Sequence, residues 1–405
     1  MLTIAYYFPP LAGIGSIRAM KFAAYLPDWG WQPTVLAPST RAHPRDDSLV
    51  YPESHVIRTQ VFEMSRFGKR VVGLGESAAP AAVPGFRARL RRFAHRFLYH
   101  PDAQVGWYPF AVAAGRRALR EMRFDAIFSS SFPVTAHLVA RRLHRESGLP
   151  WIAEFRDPWA DVAPDARAGD RRDRLERSLL RDADAVVTVS PSWRDRFLEK
   201  GAGRVEVITN GFDPVDLPPA SPIDGFVVTH LGSFHPRSQD LRAVWEALQR
   251  MRALEPALRL RVRFVGEVAG EVHEQLAGYG LTDVLEVTGL LPQRAALAAT
   301  SPSSVLIAAG FRPERPLYRG VVPAKLFEYL GSGLPVLYVA AADTDAARLL
   351  GGHRACHVVE PGDVDGALRA LAASRGEGRV QRDVGRFTRH ALAGDLARVL
   401  EGVSS

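Results

Sequence analysis

The segment Pro323-Ala324-Lys325-Leu326-Phe327-Glu328-Tyr329-Leu330-Gly331-Ser332-Gly333-Leu334-Pro335 sets a lysine one helical turn before a glutamate. The spacing predicts a helix with Lys325 and Glu328 in its first turns, ending at Gly331 or Gly333 before a buried strand. A lone glutamate there would simply complement the helix dipole. The dipole does not account for the lysine beside it at a strand end. A second place for chemistry is Pro9-Pro10-Leu11-Ala12-Gly13-Ile14-Gly15-Ser16, between an apolar run and an amphipathic stretch. Gly13 and Gly15 let the backbone approach a ligand, and the following helix N-terminus favours anionic groups. The two prolines do not suit a dinucleotide fingerprint, which disfavours an oxidoreductase. A third is Phe155-Arg156-Asp157-Pro158-Trp159 after a strand. Burying an Arg-Asp pair is costly unless the charges are paired or face a cleft. A salt bridge capping the strand and a functional pair both fit. Arg237 lies in Phe234-His235-Pro236-Arg237-Ser238, a loop between strand and helix just after Gly232. His137 follows Ser129-Ser130-Ser131-Phe132-Pro133 on a helix, where it reads first as a packed residue and second as an acceptor-side candidate.

These residues need a scaffold, and the pattern supplies one. Short apolar runs alternate with amphipathic stretches, the mark of parallel sheets with crossover helices. In the first half strands are expected at Leu2–Tyr7, Pro33–Ala37, Ala126–Ser129, Trp151–Phe155, Ala185–Val189 and Val205–Thr209. Helices fit Ser16–Leu26, Trp107–Arg120, Val134–Glu146, Arg171–Ala183 and Pro191–Lys200. The proline-rich Pro214–Pro222 reads as a linker. Beyond it strands are expected at Phe226–Leu231, Leu260–Val265, Leu285–Thr288, Ser304–Ala308, Pro335–Val339 and His357–Val359. Leu241, Val244, Trp245, Leu248 and Met251 recur at helical spacing. The expected class is α/β: two Rossmann-like domains, residues 1–215 and 216–384, with a ligand cleft between them. A terminal helix around residues 385–405 is expected to pack back on the first domain.

A chain of 405 residues with 47% apolar residues suits two such cores. A single cysteine, Cys356, excludes a disulfide framework and a cysteine metal cluster. Met1–Pro10 reads as a buried strand rather than a signal peptide, and no apolar run is long enough to span a membrane. These readings fit a cytoplasmic protein. The whole formal surplus of +8 falls before Asp216. Such a field implies an anionic partner, or an arginine-rich solvated face. On a helix, Phe86, Leu90, Phe93 and Phe97 line one stripe flanked by Arg87, Arg89, Arg91, Arg92 and Arg96. An interfacial helix on an anionic membrane has that pattern, and so does a helix packed on its own core.

The opening YYFPPLAGIGSIRAMKFAAYL resembles the start of glycosyltransferase family 4 enzymes, especially those of bacterial surface-polysaccharide and glycoconjugate synthesis. The segments PDAQVGWYP, SSSFPVTAHL, WIAEFRDPW, VTVSPSW, VITNGFDP, HLGSFHPRS and VPAKLFEYLGSGLPVL agree in order and spacing over nearly the whole chain. The resemblance implies the GT-B fold and sugar transfer from a nucleotide diphosphate donor. It implies that Glu328 holds the ribose hydroxyls, as a carboxylate accepting two hydrogen bonds can. It also implies that Arg237 and Lys325 neutralise the departing diphosphate, whose charge grows in the transition state. Gly13, Gly15, Gly232 and Leu290 fall among the donor contacts. The family's earlier glutamate is replaced by Gly320, which leaves the backbone of Gly320, Val321 and Val322 to meet the donor sugar. Arg156 replaces a histidine common in relatives. Asp157 is expected to orient sugar hydroxyls or the acceptor, and Arg156 to meet phosphate or acceptor charge.

Retention of configuration is part of the resemblance, as are the absence of a cofactor and independence from metal. Asp343-Thr344-Asp345 matches a metal motif only by letters. The acceptor is left open among a saccharide, a lipid-linked saccharide and a small molecule. A nucleotide-sugar epimerase and a two-lobed sugar-binding protein are the rivals. A nucleic-acid partner is not expected, because no recognition motif accompanies the basic half.

Overall fold

The computed structural model describes residues 1–39, 43–62, 100–162, 166–312 and 316–404. The Phe86–Leu98 stripe lies outside the described residues. The chain forms two compact units. The first contains Met1–Val189, Trp193–Ile208 and Ala393–Ser405, and the second contains Ser190–Ser192 and Thr209–Leu392.

The first unit is built on β1 (Leu2–Ala5), β2 (Thr34–Pro38), β3 (Val56–Thr59), β4 (Ile127–Ser131), β5 (Trp151–Phe155), β6 (Ala185–Thr188) and β7 (Val205–Val207). They lie side by side in the order β3-β2-β1-β4-β5-β6-β7. Every described pairing in it is parallel. The central strands β1, β4 and β5 are wholly buried, which is why their sequences are mostly apolar and do not alternate. β4 departs furthest, with Ser129-Ser130-Ser131 in a buried strand. Each hydroxyl is satisfied: Ser130 donates to Glu154 at 2.5 Å, Ser131 to the Glu154 carbonyl at 3.2 Å, and Ser129 lies 2.7 Å from Trp151 Nε1. β4 therefore runs two residues beyond its expected end at Ser129. β3 was not expected at all, because Val-Ile-Arg-Thr is a short, half-buried edge strand with no clear pattern. The last helix, Arg389–Ser404, brings its C-terminal part into this unit, where Arg204 donates to the Gly402 carbonyl at 3.3 Å.

The second unit repeats the plan with β8 (Phe226–Leu231), β9 (Leu260–Val265), β10 (Leu285–Val287), β11 (Val305–Ala309), β12 (Val336–Val339) and β13 (Cys356–Val359). Their order is β10-β9-β8-β11-β12-β13, again with parallel pairs. Helix Arg242–Leu254 buries Val244, Trp245, Leu248 and Met251 against Phe264, Val262 and Val305. In both sheets the strand order reverses beside the first strand, next to β4 in one and β11 in the other. Ligands of such sheets bind outside the carboxyl ends at that reversal.

Candidate active site

In the second unit, β8 ends at Gly232, whose φ of +79° is a turn conformation that only glycine adopts freely. The helix Lys325–Ser332 starts beside it. Tyr329 pins that helix to the sheet. Its hydroxyl accepts from the Leu231 amide at 2.9 Å and donates to the Ile307 carbonyl at 3.2 Å. The end of β8 and the middle of β11 thus fix where Lys325 and Glu328 stand. Lys325 Nζ lies 3.3 Å from His230 Nε2 and 3.5 Å from the Ser233 carbonyl. Burial lowers its pKa to about 8, with Glu328 pulling the other way.

His230 is wholly buried, with its ring against Phe234 and Phe264. Burial, aided by the Lys325 charge, holds its pKa well below the usual histidine value. It is therefore neutral, and Nε2 accepts from the ammonium. Glu328 is half-buried one turn along. Desolvation raises its carboxyl above the usual range, opposed by Arg389, a hydrogen bond from Gln293 and Lys325. With one hydrogen bond accepted from Gln293, its two carboxyl oxygens keep lone pairs for a diol.

The other donor candidates fare differently. Arg237 is 87% exposed and pairs with Glu271, its Nε at 2.8 Å. A diphosphate must compete with that carboxylate. Leu290 stands out from the loop after β10 at 74% exposure, two residues after the turn begins at Thr288 and three before Gln293. Gln293's bond to Glu328 ties that loop's helix to the site. Gly320 closes the short helix Pro316–Gly320, and Val322 is buried. The Val321 amide donates to the Tyr318 carbonyl at 3.2 Å, so it is already taken.

In the first unit, Gly13 and Gly15 flank the start of helix Ile14–Tyr25 after β1. Arg156 and Asp157 follow β5 directly and are half-buried. Arg156 Nε donates to the Ser131 carbonyl at the end of β4. Asp157's carboxyl is raised by burial, with Arg156 drawing it back. Beneath them, Arg18 Nε and Glu154 form a fully buried pair at 2.8 Å, and Arg18 also donates to the Ile208 carbonyl. The loop carrying Asp157 is anchored further on. The Ala160 amide donates to Glu176 at 2.9 Å, and Glu176 in turn takes the buried Lys200 ammonium.

His137 is the packed residue of its two readings. It is wholly buried, with its ring centroid 4.1 Å from that of Phe155 and its Nδ1 2.8 Å from Ser129 Oγ. Burial and the nearby Arg156 charge lower its pKa to about 3. No face of the ring is open to an acceptor.

The sequence reading did not single out His230, Gln293 or Tyr329. His230 had one available signal, a histidine in the otherwise apolar strand Val-Val-Thr-His-Leu just before Gly232. The other two are ordinary helix residues until the fold brings them to Glu328 and β8. Among the described residues no group of His, Cys, Asp or Glu is placed to hold a metal.

Residues 15–211 match the family described as Glycosyl transferase 4-like domain. No curated protein matches the chain in sequence. Solved structures similar over the full length include a sucrose-phosphate synthase from Thermosynechococcus elongatus. It is 16% identical with a TM-score of 0.60, covering 100% of this chain and 96% of its own. Anabaena HepE in complex with UDP and glucose is likewise 16% identical, TM-score 0.60, covering 100% and 97%. An α,α-trehalose-phosphate synthase (UDP-forming) from Burkholderia xenovorans, in complex with glucose-6-phosphate, is 13% identical with a TM-score of 0.62, covering 99% and 100%. At these identities the structures show the fold, which is GT-B.

Proposed function

We propose, from the premise that this chain is a GT-B glycosyltransferase with a glycosyl transferase 4-like domain over residues 15–211, that it moves a sugar from a nucleotide diphosphate donor with retention and without a metal. The observation that carries the reading is Lys325 and Glu328 on one helix, pinned by Tyr329 at the carboxyl edge where the second sheet reverses. Glu328 accepts from the ribose hydroxyls. Lys325, steered by neutral His230, faces the diphosphate. In the transfer the C1–O bond to the diphosphate breaks and its electron pair goes to the phosphate oxygen. The acceptor oxygen bonds to C1 on the same face, and its proton passes to that phosphate oxygen. Cationic charge beside the leaving group is worth more here than in water, because the site is partly desolvated.

The acceptor is a saccharide, a lipid-linked saccharide or a small molecule. The similar structures bound to UDP, and to UDP with glucose, support a uridine donor. No helix among the described residues is long and apolar enough to cross a membrane. A peripheral contact through Phe86–Leu98 at the inner membrane face rests on its sequence pattern alone, and anionic-vesicle co-sedimentation tests it.

The test of function is a thermal-shift screen of nucleoside diphosphates and their sugars, followed by turnover of the best donor. A bound ligand raises the melting temperature through its affinity for the folded state. Released nucleoside diphosphate with EDTA present supports metal-independent transfer or hydrolysis. An epimerised donor would make the protein an epimerase, and binding without turnover a sugar-binding protein.

A further inference from the structure

The first unit carries an arginine whose counter-charge is missing. Arg156 stands at the end of β5, beside the reversal in strand order between β1 and β4. Among the described residues its one hydrogen bond runs from Nε to the Ser131 carbonyl. No described carboxylate pairs with it. Glu154, the nearest acidic group on its strand, is taken by Arg18 at 2.8 Å and by Ser130. Asp157 is adjacent in sequence but makes no ion pair with it, and its effect on Arg156 is through space only.

Other arginines of the unit behave differently. Arg116 and Arg142 share Glu146, Arg145 reaches Asp182 at 2.7 Å, and Arg196 reaches Asp161 at 2.9 Å. Those side chains are more exposed, where water would carry the charge in any case. The half-buried Arg156 guanidinium has no such carboxylate among the described residues, although holding such a charge away from water is costly without a partner.

The ends of this guanidinium lie on the glycine loop. A Cβ added to Gly15 would come within 3.0 Å of Arg156 Nη1 and 3.1 Å of Nη2. Glycine at 15 is therefore what allows Nη1 and Nη2 to lie against the loop backbone. Two parallel N–H groups on a rigid plane match two oxygens of one oxyanion, a geometry that lysine cannot reproduce.

We propose that Arg156, resting on the Gly13–Gly15 loop, forms a phosphoryl-binding subsite of the first unit, separate from the Lys325 group of the second. The proposal builds on the glycosyltransferase reading, in which two substrates can supply a phosphoryl group: the donor through its diphosphate, or the acceptor through a phosphate of its own. The chemistry is the same in both cases, and binding tells them apart.

The experiment is calorimetric titration of the native chain, Arg156→Gln, Arg156→Lys, Gly15→Ala and Glu328→Ala. The probes are UDP, GDP, inorganic pyrophosphate, and glucose 6-phosphate with glucose as its control. Melting curves confirm that each variant is folded. A tenfold or greater loss of UDP or GDP affinity in Arg156→Gln assigns the subsite to the donor. Unchanged nucleotide and pyrophosphate affinity with a tenfold loss for glucose 6-phosphate assigns it to a phosphorylated acceptor. In either case Arg156→Lys recovers part of the loss, and Gly15→Ala, whose Cβ displaces the fork slightly, shows a smaller one. Equal affinities of native and Arg156→Gln protein for every probe overturn the proposal. So does a native chain that binds none of them. Failure of the glycosyltransferase reading shows separately, as nucleotide binding that is absent from the native chain or indifferent to Glu328→Ala.

Discussion

Each unit presents a half-buried cation at the carboxyl edge where its strand order reverses, and the two are held by opposite means. Lys325 sits in the first turn of a helix, against the neutral ring of His230 and one turn from Glu328. Its burial brings its pKa to about 8, so its charge depends on its surroundings. Arg156 sits on a strand end, held by a carbonyl and a glycine loop, with no paired carboxylate among the described residues. A guanidinium keeps its proton throughout the working range of pH. One unit therefore carries an adjustable cation and the other a permanent one, and each feels its neighbouring carboxylates through space rather than in an ion pair. An adjustable ammonium suits a group whose charge changes during reaction. A permanent fork suits recognition of a fixed anion.

The largest effect should come from removing the adjustable cation. Lys325→Ala is expected to lower turnover by about 10²-fold or more, the scale for losing one group that stabilises developing charge. Arg237→Ala should cost far less, because that side chain is 87% exposed and already paired with Glu271. Steady-state rates at saturating donor decide between them, and equal losses would restore Arg237 as a partner of Lys325. The same comparison has a pH signature. Nucleoside diphosphate affinity should fall as pH rises through about 8 in the native chain, since the ammonium loses its proton there. In Lys325→Arg that decline should vanish. A native affinity that is flat from pH 7 to 9 would mean that Lys325 does not face the diphosphate.

Next in size is the acid beside it. Glu328→Ala is expected to weaken nucleotide binding by about 1.5–3 kcal/mol, the range for a hydrogen bond to a charged group. Calorimetric titration checks this. Full affinity in a folded variant would leave the second unit with a cation and no carboxylate role, which would erase the contrast with Arg156.

The last prediction concerns the buried histidines that the two units use so differently. His230 lies 3.3 Å from the Lys325 ammonium, and His137 is closed into the core. With a folded pKa of about 3 against roughly 6.5 unfolded, His137 binds fewer protons folded than unfolded between those values. Its contribution to stability is present above the unfolded pKa and lost as pH falls below it. Acidifying from pH 7 to 5 should therefore remove about 2 kcal/mol through this residue. Denaturant unfolding at both pH values measures it, and His137→Gln should show a correspondingly smaller loss. No difference between the two proteins would mean that His137 is not held neutral.

The sequence by itself determined the class and most of the strand plan. Short strands rich in apolar residues stand out from the amphipathic stretches between them, and β5, β8 and β9 stand in the structure within the bounds their residues suggested. It also determined that Lys325 and Glu328 share a helix, because one turn of spacing and the glycines after it are local facts. Edge strands were less legible. β3 is half-buried and carries an arginine, so its pattern is weak. Tertiary structure decided what each side chain meets. It gave Arg237 to Glu271, set His230 under Lys325, closed His137 into the core and left Arg156 on Gly15 without a paired carboxylate among the described residues. Those outcomes depend on residues far apart in the chain that approach only when the sheets form. Spacing along the sequence records which residues share a turn or a strand. It does not record which charge is left without a partner.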